Sequence, residues 1–281
     1  MHDQIDQLIA LALAEDIGPG DVTAATVVPA ETTVTGIVLA KEAGVLAGMD
    51  AVGRVFHAVD PLIEWQPAMA DGDTLAVGMT IGSVAGPARS VLTAERTALN
   101  LLQRLSSVAT TTRRYVDAVA GTAATIVDTR KTTPGMRALE KAAVRAGGGS
   151  NHRVGLFDGV LIKDNHLAAV GGDIALAVRR ARAGAPHTLR VEVEIVGLDQ
   201  LEPAIAAGAD IVMLDNMDVA TIQEAVARAG RRVILEASGG VRLETVRAIA
   251  ETGVDLVSVG ALTHSAPALD ISLELDVQGG V

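Results

Sequence analysis

The sequence predicts an α/β fold: an incomplete (β/α) barrel of six or seven strands, preceded by a smaller N-terminal α/β domain with an open sheet. In the second half of the 281 residues, short β-branched apolar runs alternate with segments rich in Ala and Leu. This alternation is typical of parallel βαβ units. Polar residues follow the apolar runs, at the strand end where barrel enzymes build their active sites. A doubly wound sheet has the same period, so we favour the barrel on this second observation.

The first half differs, because its short alternating runs are broken by Gly and Pro. These runs span 33–41, 45–48, 74–77 and 80–85, with an amphipathic helix over 4–14 and a long helix or helix pair over 90–119. We assign residues 1–105 to an N-terminal α/β sandwich domain and residues 106–266 to the barrel. We also consider that the C-terminal tail, 267–281, packs on the N-terminal domain.

Six apolar runs predict the barrel strands. They are ATIVDTR (124–130), GVLIKDNH (159–166), LRVEVEIV (189–196), ADIVMLDN (209–216), RVILEASGG (232–240) and VDLVSVGA (254–261). The helical segments between them cover 135–146, 174–183, 198–207, 219–229 and 243–252.

Composition excludes several functional classes. The chain has no Cys, 1% aromatic residues and a formal net charge of -11. Disulfides, thiolate metal sites and cysteine nucleophiles are therefore excluded, and binding of nucleic acid by base stacking is disfavoured. We find neither a signal peptide nor an apolar segment long enough to span a membrane, so we expect a cytoplasmic protein with no nucleic-acid or membrane partner.

A cationic segment stands out in this acidic chain. Residues 121–166 contain seven Lys or Arg and four Asp or Glu. Two of the cations, Arg130 and Lys131, end a predicted strand, and the glycine loop 147–153 ends in His152 and Arg153. The fork of an arginine matches the two oxygens of a carboxylate or phosphate. The segment therefore predicts a site for a small anionic molecule.

The later strands supply a lysine and carboxylates. Lys163 follows a buried apolar run, where it must meet an anion, and Schiff-base chemistry is an alternative for it. Glu192 and Glu194 are two residues apart and share one face of a strand, so they either face the site or pair internally. With Asp215 they could hold a ribose diol or a Mg²⁺ ion.

Small residues end the last two strands. Ser238, Gly239 and Gly240 follow one run, and Gly260 follows the next. Backbone amides at such positions are unobstructed, and barrels commonly hold a phosphate at the loops of their final strands. We therefore expect a phosphorylated substrate.

The motifs together resemble the quinolinate phosphoribosyltransferase family. They are DTRKTTPG, GGGSNHRVGL, LIKDNH, VEVE, LDN, ASGG and VGALTH in that order, with EDIGPGDVT, KEAGVLAG and LTAERTALN in the first half. The resemblance covers most of the chain, and the motifs from 128 to 166 are long and specific.

This resemblance implies an enzyme of NAD synthesis that joins quinolinate to phosphoribosyl pyrophosphate with loss of CO2, and uses Mg²⁺. Arg130, His152, Arg153 and Lys163 would surround quinolinate, with Lys131 also lining the site. By the same resemblance, Glu194 and Asp215 would hold the ribose hydroxyls or the metal, and Ser238 to Gly240 and Gly260 the phosphate. The family further implies substrate contacts by Thr129 and His264, and a homodimer in which Arg96 reaches the neighbouring subunit's site.

Three alternatives remain at this stage. A paralogue associated with molybdenum transport shares the barrel and part of the motifs, although the intact LIKDNH disfavours it. A non-catalytic sensor of phosphate ligands would have no use for Glu194 and Asp215. A Schiff-base aldolase would form a covalent intermediate on Lys163.

Overall fold

The computed structural model describes residues 2–278, and the chain forms two compact units. The first comprises Met1–Arg113, Thr132–Gly148 and Leu262–Val281, and the second comprises Arg114–Lys131 and Gly149–Ala261. The boundary predicted at 105/106 thus falls inside a helix whose residues up to Arg113 belong to the first unit.

In chain order, the elements of the first 118 residues are α1 (His2–Ile17), α2 (Val22–Val27), β1 (Thr33–Ala40), β2 (Gly44–Val45), α3 (Met49–Val59), β3 (Glu64–Pro67), β4 (Thr74–Leu75), β5 (Thr80–Pro87) and α4 (Ala88–Ala118). The remainder contains β6 (Thr125–Val127), α5 (Arg137–Ala146), β7 (Val160–Ile162), α6 (Asp164–Ala169), α7 (Ile174–Gly184), β8 (Val191–Ile195), a 3₁₀ turn (Leu198–Gln200), α8 (Leu201–Ala206), β9 (Ile211–Asp215), α9 (Val219–Ala229), β10 (Ile234–Ser238), α10 (Leu243–Ala250), β11 (Leu256–Ser258), α11 (Ala261–His264) and β12 (Ile271–Gln278).

The first unit contains an antiparallel sheet of four strands in the order β12-β1-β5-β3. Burial alternates along β1, where Val34, Val38 and Ala40 point to the core, as expected for a strand with one covered face. The tail from Ile271 onward forms β12, which pairs with β1 along its whole length. Residues 279–281 of the predicted tail lie outside the described residues.

The second unit contains a parallel sheet of six strands in the order β6-β11-β10-β9-β8-β7, surrounded by helices. Within the described residues, its end strands β6 and β7 do not pair, so the barrel is open, and the predicted fold class is confirmed. Ser150 forms a parallel bridge to Val127 beyond β6, which places the glycine loop against that edge.

Local sequence explains these elements. All five residues of β8, which is rich in Val and Ile, are buried. The side chain of Asp218 caps α9 by accepting a 2.8 Å hydrogen bond from the Thr221 amide, and Gly230 ends that helix in the left-handed region. The run 159–166 gives a strand of only three residues, because Asp164 already begins α6.

No helix within residues 2–278 combines the length and the apolar character that crossing a membrane requires.

Candidate active site

A cavity of about 430 Å³ opens at the carboxyl ends of the parallel strands in the second unit. Most of the site residues predicted from the sequence line it: Thr129, Arg130, Lys131, His152, Arg153, Lys163, Glu194, Asp215, Ser238, Gly239 and Gly240. Leu161, Met213, Asn216, Glu236 and Ser258 also line it. Residues from all six strands of the parallel sheet and from one loop therefore meet in one cavity, as the barrel topology requires.

Three predicted site residues do not line this cavity. Gly260 follows β11 in the second unit. Arg96, which is exposed on α4, and His264, at the end of α11, belong to the first unit. The Nδ1 atom of His264 lies 2.6 Å from the Ser265 hydroxyl. The substrate contacts implied for these three residues stay predictions.

Asp128, at the end of β6, organises the loop that carries His152. Its carboxylate is fully buried and accepts hydrogen bonds from the Asn151 amide at 2.6 Å and from the backbone N–H of His152 at 2.8 Å. The backbone of Ser150 bonds to Ile126 and Asp128 on either side. These bonds hold the loop as a short extension of the sheet and fix His152 at the cavity wall.

The hydrogen bonds of His152 define its tautomer. Its Nδ1 atom accepts a 2.8 Å hydrogen bond from the backbone N–H of Arg153, so Nδ1 carries no proton. The hydrogen is then on Nε2, which lies 3.0 Å from Oε2 of Glu192 and 3.6 Å from Oε2 of Glu236. His152 therefore donates through Nε2 to a buried carboxylate and helps to orient Arg153 through Nδ1.

On the cationic side of the cavity, the positive charges of Arg130 and Arg153 lie close together. Burial, and secondly the nearby Arg130 guanidinium, lower the pKa of Arg153. The side chain of Arg153 donates a 3.4 Å hydrogen bond to the Gly159 carbonyl. Two neighbouring guanidinium groups repel each other, and an anion with two carboxylates between them would relieve that repulsion.

The acidic side is formed by Glu194 and Asp215. Oε2 of Glu194 accepts a 2.8 Å bond from the Lys163 ammonium, and Oδ2 of Asp215 accepts a 2.7 Å bond from the Asn216 amide. Asn216 has a positive φ of 54°, a conformation that asparagine adopts more readily than most residues. Lys163 is thus paired across the cavity with a carboxylate rather than buried among apolar groups.

Gly239 must be a glycine, because its φ is +88° and a Cβ atom would collide with the Asn216 side chain and approach its backbone nitrogen to 2.8 Å. Gly240, with φ +60°, has nothing within 4 Å of such an atom. The turn therefore packs tightly on Asn216 at one glycine and presents open backbone at the next. Exposed amides of this kind suit a phosphate.

Glu236 on β10 is a site residue that the sequence analysis missed. Its carboxyl group is fully buried but lines the cavity. Burial, and secondly the negative charge of Glu192, raise its pKa to about 7, opposed by His152, the Ser258 hydroxyl and Lys163. Its spacing of two residues before Ser238 could have revealed it, because alternate residues of a strand share a face.

Glu192 could face the site or pair internally, and in the structure it pairs internally. This residue is 3% exposed, accepts the His152 hydrogen bond and is absent from the cavity lining, whereas Glu194 lines it. The two glutamates of VEVE therefore have different surroundings even though both are buried.

Two groups of side chains have the chemistry of a metal site. In Glu194 and in Asp215, only one carboxylate oxygen accepts a hydrogen bond from the described part of the chain, which fits Mg²⁺ held by one or two carboxylates plus substrate oxygens. The ligand atoms of His152, Glu192 and Glu236 lie within 4.8 Å of one another. Both nitrogens of His152 are engaged, one as acceptor and one carrying hydrogen, so this second group is a hydrogen-bonded cluster.

Comparison with known families gives two matches that together span most of the chain. Residues 21–106 match the quinolinate phosphoribosyl transferase N-terminal domain, and residues 108–274 match the C-terminal domain.

Named relatives and solved structures agree with these matches. The nicotinate-nucleotide pyrophosphorylase [carboxylating] of Mycobacterium leprae is 48% identical over 97% of this chain and 98% of its own length. The probable enzyme of that name from Bacillus subtilis is 44% identical over 98% of this chain and 94% of its own length. The NadC structure from Streptococcus pyogenes superposes with a TM-score of 0.94 at 42% identity and covers 99% of both chains.

Proposed function

The chain belongs to the quinolinate phosphoribosyltransferase family, and from that premise we propose how its barrel cavity carries out the family's reaction. It is a pentosyltransferase of NAD biosynthesis, which transfers the phosphoribosyl group of phosphoribosyl pyrophosphate to quinolinate and releases pyrophosphate and CO2 to give nicotinate mononucleotide. The observation that carries the assignment of roles is that a cationic half and an acidic half meet in one cavity.

Quinolinate occupies the cationic half. Arg130 and Arg153 bind its two carboxylates, because each guanidinium offers a planar fork of donors and an anion offsets their mutual repulsion. Lys163 and Lys131 add positive charge at the same wall. His152 acts through its Nδ1 bond, which orients the backbone that carries Arg153.

The phosphoribosyl group occupies the acidic half. Glu194 and Asp215 bind the ribose hydroxyls or hold Mg²⁺, and Ser238 to Gly240 receive the 5-phosphate at an open backbone turn. When bound, Mg²⁺ supplies positive charge to the departing pyrophosphate. We expect a chelator to abolish activity and added Mg²⁺ to restore it, as measured by pyrophosphate release.

The chemistry needs opposite charges at the two ends of the cavity. As pyrophosphate leaves, positive charge develops at the anomeric carbon, and the carboxylates of Glu194 and Asp215 stabilise it. The pyridine nitrogen then attacks that carbon. Once alkylated, the ring nitrogen is cationic and stabilises the electron pair that decarboxylation leaves on C2.

Lys163 acts as an electrostatic clamp in this scheme. Its ammonium group lies 2.8 Å from Oε2 of Glu194, and an ammonium so paired is not nucleophilic. A Schiff base is also unnecessary, because the alkylated ring itself accepts the electrons. Borohydride treatment in the presence of substrate should therefore trap nothing on Lys163.

We further propose a homodimer that shares its sites. Arg96 is exposed on α4, and of the Arg and Lys residues predicted for the site it alone falls outside the described cavity lining. Donation to the neighbouring subunit would give it a place in the site. Mixing Arg96→Ala with Arg130→Ala protein should then restore activity, because about one quarter of the sites in randomly formed dimers receive both wild-type arginines. No recovery would contradict the shared site.

The direct test of the function is an incubation of purified protein with quinolinate, phosphoribosyl pyrophosphate and Mg²⁺. We expect nicotinate mononucleotide and CO2. The absence of product, or equal product from nicotinate without CO2, would contradict the assignment. Cytoplasmic location stays a prediction from the sequence.

A further inference from the structure

Decarboxylation creates a demand for a proton. When the bond between C2 and its carboxyl group breaks, CO2 leaves and the electron pair stays on C2. The product carries hydrogen at that carbon, so each turnover must deliver one proton to a carbon deep in the cavity. None of the roles assigned above supplies it.

Most titratable groups of the cavity are engaged in other ways. Lys163 is paired with Glu194, and Asp215 accepts a hydrogen bond from Asn216. The Nε2 atom of His152 is directed toward Glu192 at 3.0 Å. The guanidinium groups do not release protons at neutral pH.

Glu236 has the surroundings of a protonated acid. Its carboxyl group is 0% exposed, and neither oxygen has a hydrogen-bond partner among the described residues. The Nε2 atom of His152 lies 3.6 Å from Oε2 of Glu236 but only 3.0 Å from Glu192, and the Ser258 hydroxyl also faces Glu236. A fully buried carboxylate with so few donors beside a second carboxylate is strongly disfavoured, whereas a neutral carboxylic acid is not.

We propose that Glu236 is the acid that protonates C2 after CO2 has left. The O–H bond of Glu236 breaks, a C–H bond forms with the electron pair on C2, and Glu236 becomes a carboxylate. A proton from water restores the acid before the next turnover. The role rests on the proposed function, since only a decarboxylating reaction needs this proton.

The neighbours of Glu236 tune this role. Glu192, His152 and Lys163 are the charged or titratable groups that act on it, and the Ser258 hydroxyl faces it from the adjacent strand. A pKa raised to about 7 by burial and by Glu192 keeps much of the acid protonated near neutral pH, which suits a general acid. Glu192 thus both holds His152 and keeps the proton on Glu236.

The test separates the two halves of the reaction in a single turnover. Glu236→Gln keeps the shape and neutrality of the protonated acid but cannot give up a proton. We expect pyrophosphate to be released at nearly the wild-type rate, while nicotinate mononucleotide forms about 100-fold more slowly or less. Without this proton the C2 carbanion recombines with the CO2 still held in the cavity, so acid quenching should reveal the undecarboxylated mononucleotide of quinolinate.

Other outcomes overturn the proposal. If pyrophosphate and nicotinate mononucleotide slow equally, Glu236 has only a binding or structural role, and if neither slows, a lysine or water supplies the proton. If the wild-type protein itself releases no pyrophosphate, the proposed function fails first. Glu202→Gln is the matched control, because this exposed residue pairs with Arg232 outside the cavity, and its two rates should be unchanged.

A second variant keeps the proposal testable if Glu236→Gln folds poorly. In Glu192→Gln, the amide oxygen can still accept the His152 hydrogen bond, but the negative charge that favours the protonated Glu236 is gone. As pH rises, the rate of nicotinate mononucleotide formation should therefore begin to decline at a lower pH in this variant than in the wild-type protein. An unchanged pH profile would contradict the proposal.

Discussion

Replacing Glu236 with Gln should change how the stability of the protein depends on pH. The pKa of Glu236 rises from 4.5 to about 7 in the folded protein, mainly through burial. Between pH 4.5 and about 7, the folded state binds the proton of Glu236 more tightly than the unfolded state does, so the free energy of unfolding falls as pH rises. The stabilisation is fully present below pH 4.5 and is lost as pH rises through about 7. The difference in pKa corresponds to about 3 kcal/mol, and Gln removes it because it does not titrate.

Urea unfolding of both proteins at pH 5 and pH 8.5 measures this effect. We expect the variant to gain about 2–3 kcal/mol relative to wild type between these two pH values. Because the comparison uses the same pair of proteins at each pH, other titrating groups largely cancel. A stability difference that does not change with pH would show that Glu236 is ionised throughout, and would also remove its role as the acid.

Three further substitutions test the site. Gly239→Ala should lower kcat/KM for phosphoribosyl pyrophosphate about tenfold or more relative to Gly240→Ala in steady-state assays, because only the former displaces Asn216; equal effects would contradict this. Arg130→Ala should lower kcat/KM for quinolinate about 100-fold with an unchanged melting temperature. If the variant simply unfolds, Arg130 serves stability and not the binding of quinolinate. Asp128→Asn should destabilise the protein by about 1–3 kcal/mol in urea, because the amide cannot accept both bonds from the glycine loop; equal stability would mean that these bonds do not hold the loop.

Much of the barrel could be predicted from the sequence because its signals are local. Apolar β-branched runs marked all six strands, and α9 begins and ends at the predicted residues 219 and 229. The polar residues after those runs converge because parallel strands end at one edge of the sheet. This rule brought Arg130, Lys163 and Asp215 to one cavity without any knowledge of distances.

The remainder depends on contacts between distant residues. No local pattern distinguishes Glu192, which bonds to His152, from Glu194, which bonds to Lys163. Glu236 was missed because its significance comes from burial beside Glu192 rather than from its own motif. β12 was not predicted as a strand, since its partner β1 lies more than two hundred residues earlier in the chain.

The fate of one carbon tests the proposed reaction most directly. Quinolinate labelled with ¹³C in the carboxyl group on C2 is incubated with phosphoribosyl pyrophosphate, Mg²⁺ and the purified protein. We predict labelled CO2, pyrophosphate and unlabelled nicotinate mononucleotide in equal amounts. Label retained in the nucleotide, or pyrophosphate without any nucleotide, would contradict it.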